Sequence, residues 1–226
     1  SPDRQRLHQI MRHFSQEVTQ FLRAFLAPYA DRYQMDYASF RPLEEQGRDL
    51  PTTKRNDLLH FDAFPTRPTH GGRILRIFVN INPAAERVWL VGDPFHELTP
   101  RLAGNAGLAR FASPSASQSI VYALERISHR VGFPVPDRSP YDRFMLHYHD
   151  WLKANTGYQQ DGRKTRVSFP PGSVWLVYTD GVPHAVLSGR YALEQTYIIP
   201  PSALVAPEAA PVRVLEKLAG KAMAAA

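Results

Sequence analysis

Apolar residues recur at spacings of three and four near the start of the chain: Leu7, Ile10, Met11, Phe14, Val18, Phe21, Leu22 and Phe25. That period predicts an amphipathic helix over Arg6 to Ala27, closed by Pro28, with its stripe turned towards a core. Tyr29 to Lys54 carries no such period and reads as a charged loop. From Leu58 the pattern changes to alternation. In Leu58-Leu59-His60-Phe61-Asp62-Ala63-Phe64 a strand would point His60 and Asp62 to one face, and Leu59, Phe61 and Ala63 to the other. Pro65 to Gly72 is a turn segment. Arg73 to Ile81 is β-rich, with Leu75, Ile77, Val79 and Ile81 forming an apolar face opposite a mixed face of Ile74, Arg76, Phe78, Asn80 and Asn82. Arg87 to Gly92 is a short strand, and Asp93 to Ser115 reads as irregular.

Two helices are predicted next, over Ser117 to Val131 and Tyr141 to Ala154, joined by a proline-rich connector. Further strands follow at Ser173 to Tyr178, from His184 to Leu187 and over Tyr191 to Ile199, divided by Asp180-Gly181 and Ser188-Gly189 turns. Pro211 to Ala226 reads as a short helix, for which docking on the domain is favoured over lying on a membrane surface. Helices first, then many short strands, predict an α+β layout around a β-sandwich or jelly roll. The 226 residues fit a single domain. Its expected parts are a helical N-terminal region 1–50, a β core from 55–92 and 167–200, a helical insertion 93–166 and a tail 201–226, with the N-terminal and inserted helices packed on one sheet.

The chemistry centres on the HxD pair. An imidazole and a carboxylate on one face supply two ligands of a 2-His-1-carboxylate triad, which leaves positions open on Fe(II). Taken alone, HxD is better read as a hydrogen-bonded pair on a half-buried strand. The later order of Pro-Gly, strand, turn and His184-Ala185-Val186 favours the metal and makes His184 the third ligand. His147 and His149 are a lesser alternative, because residues two apart on a helix point to different faces. Arg76 on the mixed face would be a buried charge, and hence a candidate clamp for a carboxylate or one half of a structural ion pair. Arg41, Arg48, Lys54 and Arg55 precede HxD and could equally line a pocket mouth or form a solvated face.

Composition narrows the field. The chain has no cysteine, so a metal must be held by His, Asp or Glu, and disulfide or thiol chemistry is excluded. Its 20 prolines argue for loops and strand ends over a helical bundle. The formal charge of +6 favours an anionic partner: nucleic acid, anionic lipid or an acidic sugar. Nucleic acid is disfavoured, since no basic stripe interleaved with aromatics stands out. No run reaches membrane-spanning length, and Ser1-Pro2-Asp3-Arg4 opens without an apolar signal region. The absence of an initiator Met leaves room for a longer or processed terminus.

Three blocks carry a closer resemblance: Lys54-Arg55-Asn56-Asp57-Leu58-Leu59-His60-Phe61-Asp62-Ala63-Phe64-Pro65-Thr66-Arg67-Pro68-Thr69, Arg73 to Pro83, and Leu193-Glu194-Gln195-Thr196. Together they resemble the Kdo 3-hydroxylases, Fe(II)/2-oxoglutarate dioxygenases acting on the acidic sugar 3-deoxy-D-manno-oct-2-ulosonic acid (Kdo) of lipopolysaccharide. The likeness runs from about Arg41 to Pro200. It implies a double-stranded β-helix (jelly-roll) core. The implied reaction is hydroxylation of carbon 3 of Kdo on Kdo-lipid A with Fe(II), 2-oxoglutarate and O2, giving the hydroxylated sugar (Ko), succinate and CO2. It makes His60, Asp62 and His184 the iron ligands. Arg76 and Arg190, the latter in Ser188-Gly189-Arg190-Tyr191, compete as the 2-oxoglutarate clamp. Asn80, Gln195 and Thr196 become further co-substrate candidates, and Arg41, Arg55, Arg67 and Arg73 substrate contacts. The expected setting is cytoplasmic, with peripheral contact at the anionic inner face of the inner membrane. The alternatives are a dioxygenase of the same fold with another acidic substrate, and a non-catalytic β-sandwich that binds anionic glycolipid.

Overall fold

A computed structural model describes residues 2–224. Helix α1 spans Pro2–Phe25, starting earlier than the apolar period predicts because Pro2 pre-sets the first turn. Val18 and Leu22 are its buried residues. They pack with Leu75, Ile77, Tyr197 and Ile199 of the sheet beneath. Leu7, Ile10, Phe21 and Phe25 stay exposed, so the stripe outruns the sheet that covers it.

The stretch Tyr29 to Lys54 is not all loop: Gln34–Arg41 forms strand β1. It lacks β-branched residues, and its conformation comes from antiparallel pairing along β7 (Ala192–Ile199). Strand β2 is Arg73–Asn80, β3 Arg87–Val91, β4 Thr165–Phe169, β5 Val174–Tyr178 and β6 His184–Ser188. Two antiparallel sheets result, in the orders β1-β7-β2-β5 and β4-β3-β6. The β core therefore also draws on 34–41, inside the region read as helical.

The two faces of β2 divide as alternation requires. Leu75 and Ile77 point to α1, while Phe78 faces the second sheet. There it forms an aromatic core with Trp89, Trp175 and Val186, and Phe169 stacks on Trp175 at 3.9 Å between centroids. Ile81 ends outside β2 and is exposed.

The inserted helices form a layer with a core of its own. α2 (Phe95–Leu102) and α3 (Leu108–Ala112) occupy a stretch that reads as irregular. Pro100 sits inside α2, and burial of Phe95, Leu98 and Thr99 overrides its poor propensity. With α5 (Pro140–Ala154) and α7 (Pro211–Ala219) they build a separate core of Phe95, Phe144, Tyr148, Leu152 and Leu215 around Phe61. α4 (Ala116–Arg130) begins at a Ser115/Gln118 capping box. It is tied to α5 by Glu125–Arg143 at 2.5 Å and by Arg143 over the Tyr122 ring. Its Ile120, Leu124 and Ile127 face solvent. α6 (Thr156–Asp161) starts at the Asn155 cap.

Arg73, expected at the substrate, is instead a structural ion. It is buried at the start of β2, donates to Asp180 at 2.8 Å and lies over the Tyr178 ring. Gly181 leaves room for it, since a Cβ there would displace the guanidinium from its present place. Arg73→Met leaves Asp180 buried and unpaired. It should lower unfolding free energy by about 3 kcal/mol, read from urea denaturation, and Asp180→Asn in the same chain should recover part of the loss.

Candidate metal centre

The HxD segment forms no regular strand. It makes a single antiparallel bridge, His60 to His184 at the start of β6. His60 N donates to His184 O at 3.2 Å and His184 N donates to His60 O at 3.0 Å. Asp62 N donates to Thr179 O at 2.9 Å, just after β5. The predicted alternation holds for Leu59 and Phe61 but not for Ala63, which borders the cavity beside His60 and Asp62 because the segment is not a regular strand. Leu59 and Phe61 are buried away from the site, and His60 Nε2 stands 3.7 Å from Asp62 Oδ1.

His60, Asp62 and His184 are all buried and offer ligand atoms within 4.8 Å of one another. Each imidazole is oriented by its own backbone: His60 Nδ1 lies 2.7 Å from Leu58 O and His184 Nδ1 lies 3.2 Å from Val182 O. With Nδ1–H donating to those carbonyls, both Nε2 lone pairs are free for a metal. Trp89 stacks on the His184 ring at 5.1 Å. Asp62 Oδ2 is buried and accepts no hydrogen bond, although Arg76 stands 3.2 Å from it outside hydrogen-bonding geometry. Two neutral nitrogens and an unspent carboxylate oxygen suit Fe(II), and His60 and Asp62 border a cavity of about 450 Å³.

Electrostatics prepares the ligands. Burial holds His60 well below the ordinary histidine range, aided by the neighbouring His184, Lys153 and His149, and burial lowers His184 too. Burial opposes ionisation of Asp62, but Arg76, His184 and His60 outweigh it and hold the carboxyl low. Glu194 on β7 is likewise held ionised against burial by Arg76 and Arg41. Arg41 donates to both Glu194 oxygens, at 3.1 and 2.8 Å.

The other residues singled out in the sequence disperse. Arg41 and Arg76 line the cavity. Arg190 is exposed beyond β6, over the Tyr191 ring. Arg55 is engaged with Asp57, and Arg67 with Asp36 and the Phe64 and Tyr37 rings. Asn80 is fully buried, donating to Ala85 O and Phe169 O, and Gln195 donates to Asp36 O. Thr196 is buried on β7 opposite Arg76. His147 meets Arg110 on the outer side of α5, whereas His149 reaches the site, its ring 4.8 Å from that of His60. Sequence reading passes over Lys153 and takes Glu194 only as part of a family block, without a role. Lys153 was findable, because it lies four residues after His149 on the same helix face.

Comparison with known proteins decides the family. A family model described as 3-deoxy-D-manno-oct-2-ulosonic acid (Kdo) hydroxylase matches residues 1–222. The chain belongs to the Kdo hydroxylase family. Among solved structures it is similar to the Kdo hydroxylase KdoO, a non-haem Fe(II) α-ketoglutarate-dependent dioxygenase, in complex with α-ketoglutarate and Fe(III). That match has 34% identity and a TM-score of 0.87 over 99% of this chain and 73% of the other. The cobalt(II) complex of KdoO matches at 33% identity and a TM-score of 0.88, over 100% and 73%. No curated protein sequence matches. The family's chemistry agrees with a triad that the fold assembles without distortion.

Acidification should destabilise the metal-free protein in a defined window. His60, His149 and His184 have folded pKa values below their unfolded ones, so the unfolded chain takes protons first as pH falls through about 6.5. Asp62 and Glu194 are also depressed and add loss of the same sign below about pH 4.5. The denaturant midpoint of chelator-stripped protein should drop between about pH 7.5 and about pH 5.5. A flat or rising midpoint contradicts the assignment of neutral buried imidazoles.

Proposed function

We infer that this protein is an Fe(II)- and 2-oxoglutarate-dependent dioxygenase that hydroxylates Kdo, at carbon 3 of the sugar on Kdo-lipid A, giving Ko, succinate and CO2. The observation that carries the reading is the buried triad, with both histidine Nδ1 atoms committed to backbone carbonyls. His60 and His184 through Nε2, and Asp62 through a carboxylate oxygen, would hold the iron. The bound metal supplies the oxidising chemistry by coupling decarboxylation of 2-oxoglutarate to O2. The two facing sheets are read as a double-stranded β-helix, with the His60 bridge standing in for the eighth strand.

The chain's own residues bind, orient and exclude water. Phe64, Pro65 and Leu146 wall the cavity beside the triad and limit solvent. Arg76 is proposed as the 2-oxoglutarate clamp. It is the cavity arginine nearest the metal ligands, and its Nε is buried without a hydrogen-bond partner. Glu194 holds Arg41 and stands 3.7 Å from Arg76, which fixes both cations before an acid arrives. A substrate bearing a carboxylate suits such a wall.

The membrane end of the proposal rests on the +6 charge and a lipid-borne substrate. No helix among the described residues is long and apolar enough to cross a membrane, and peripheral contact at the inner face is the proposed arrangement. A non-catalytic glycolipid-binding sandwich has no use for three convergent metal ligands.

Mass spectrometry of Kdo-lipid A incubated with the protein, Fe(II), 2-oxoglutarate and air should record the gain of one oxygen on the sugar. An unchanged sugar with the iron-loaded protein would sink the reading. Asp62→Ala should cut sugar-dependent succinate formation by more than about 100-fold, exceeding the usual effect of a residue that only supports a ligand. Arg76→Ala should raise the 2-oxoglutarate concentration for half-maximal rate at least about tenfold, while Arg190→Ala leaves it unchanged.

A further inference from the structure

Lys153, in the last turn of α5, lines the same cavity as the triad. Only 3% of its surface is exposed. An ammonium has three N–H donors. Here one is used, to Thr53 O at 2.9 Å. Among the described residues no carboxylate comes within ion-pair distance of Nζ. Asp62, Asp150, Asp57 and Glu45 act on it only from further away, and burial depresses its pKa to about 8.

This sets Lys153 apart from the other buried cations of the cavity. Arg41 is held by Glu194, and Arg76 stands between Asp62 and Glu194. Their charges are already balanced by the protein. A lysine that merely tied α5 to the 52–54 turn would need one donor and no charge, and glutamine could do the same. Burying a charge without a counter-ion costs free energy that a tie does not require. The balance is restored when an anion enters the cavity.

We propose that Lys153 is a carboxylate-receiving group of this site, taking a carboxylate of one of its two organic acids, 2-oxoglutarate or the sugar acid. This rests on the dioxygenase reading above. Arg76 from β2 and Lys153 from α5 then serve as receptors for two acids held at once.

The test compares wild type with Lys153→Gln, Lys153→Met and Lys153→Arg. Lys153→Gln keeps a donor for Thr53 O and removes the charge, so it serves as the folded comparison if Lys153→Met unfolds. Anaerobic calorimetry of the Fe(II)-loaded proteins with 2-oxoglutarate gives one arm. The Michaelis constant for Kdo-lipid A at saturating 2-oxoglutarate gives the other.

Loss of a charge-assisted bond predicts at least about tenfold weakening in one arm for Gln and Met, largely restored by Arg. Weakening in the first arm assigns the carboxylate to 2-oxoglutarate, and weakening confined to the second assigns it to the sugar. If Lys153→Gln matches wild type in both arms, the lysine is only a structural tie and the proposal is overturned. If wild type itself neither binds 2-oxoglutarate nor oxidises the sugar, the failure lies with the dioxygenase reading instead.

Discussion

The two backbone hydrogen bonds between His60 and His184 bring together residues 124 positions apart and give the site its shape. A paired antiparallel bridge places side chains side by side on one face. It therefore delivers two imidazoles to one point without help from a longer ladder. Asp62 follows two residues later and is pinned to Thr179. The same short segment sends Phe61 the other way, into the helical core with Phe95 and Tyr148. One stretch of chain thus serves as ligand carrier on one side and core anchor on the other, and packing of the helices fixes where the metal ligands stand.

Around that bridge the protein buries more charge than a purely structural core would tolerate. Asp62, Glu194, Arg41 and Arg76 form a connected set in which each charge offsets another. Such sets are weak contributors to stability but hold donors in fixed directions. The cost is offset by the β-sheet framework and by the aromatic core of Phe78, Trp89 and Trp175 between the sheets. The second buried pair, Arg73 with Asp180, lies outside the cavity and pins the turn that follows β5, immediately beside the backbone contact of Asp62.

Much of this was legible in the chain. Alternation around His60 gave the shared face, and β2, β3, β5, β6 and β7 follow β-branched runs bounded by turns. α4 and α5 each begin one residue before the predicted Ser117 and Tyr141, because capping boxes at Ser115 and Ser139 set their starts. Other features depend on tertiary context. β1 is a strand because β7 offers an edge, not because of its own residues. α2 forms despite Pro100 because Phe95 and Leu98 are buried against α5 and α7. Period alone located the apolar stripe of α4 but not its orientation, since Glu125 and Tyr122 dock the helix by its polar side. Arginines proved hardest to place. Arg41, Arg73 and Arg190 look alike in sequence, and only the positions of Glu194 and Asp180 separate a cavity wall from a structural ion and an exposed turn.

The stacking of Trp89 on His184 has an optical corollary. An indole stacked 5.1 Å from a ligand of an open-shell ion is within range for quenching of its emission. Trp151 lies in the helical layer, and Trp175 is reached through Trp89. Intrinsic fluorescence is therefore a built-in gauge of occupancy, sensitive to the ion itself and to any acid that shifts the imidazole beneath the indole.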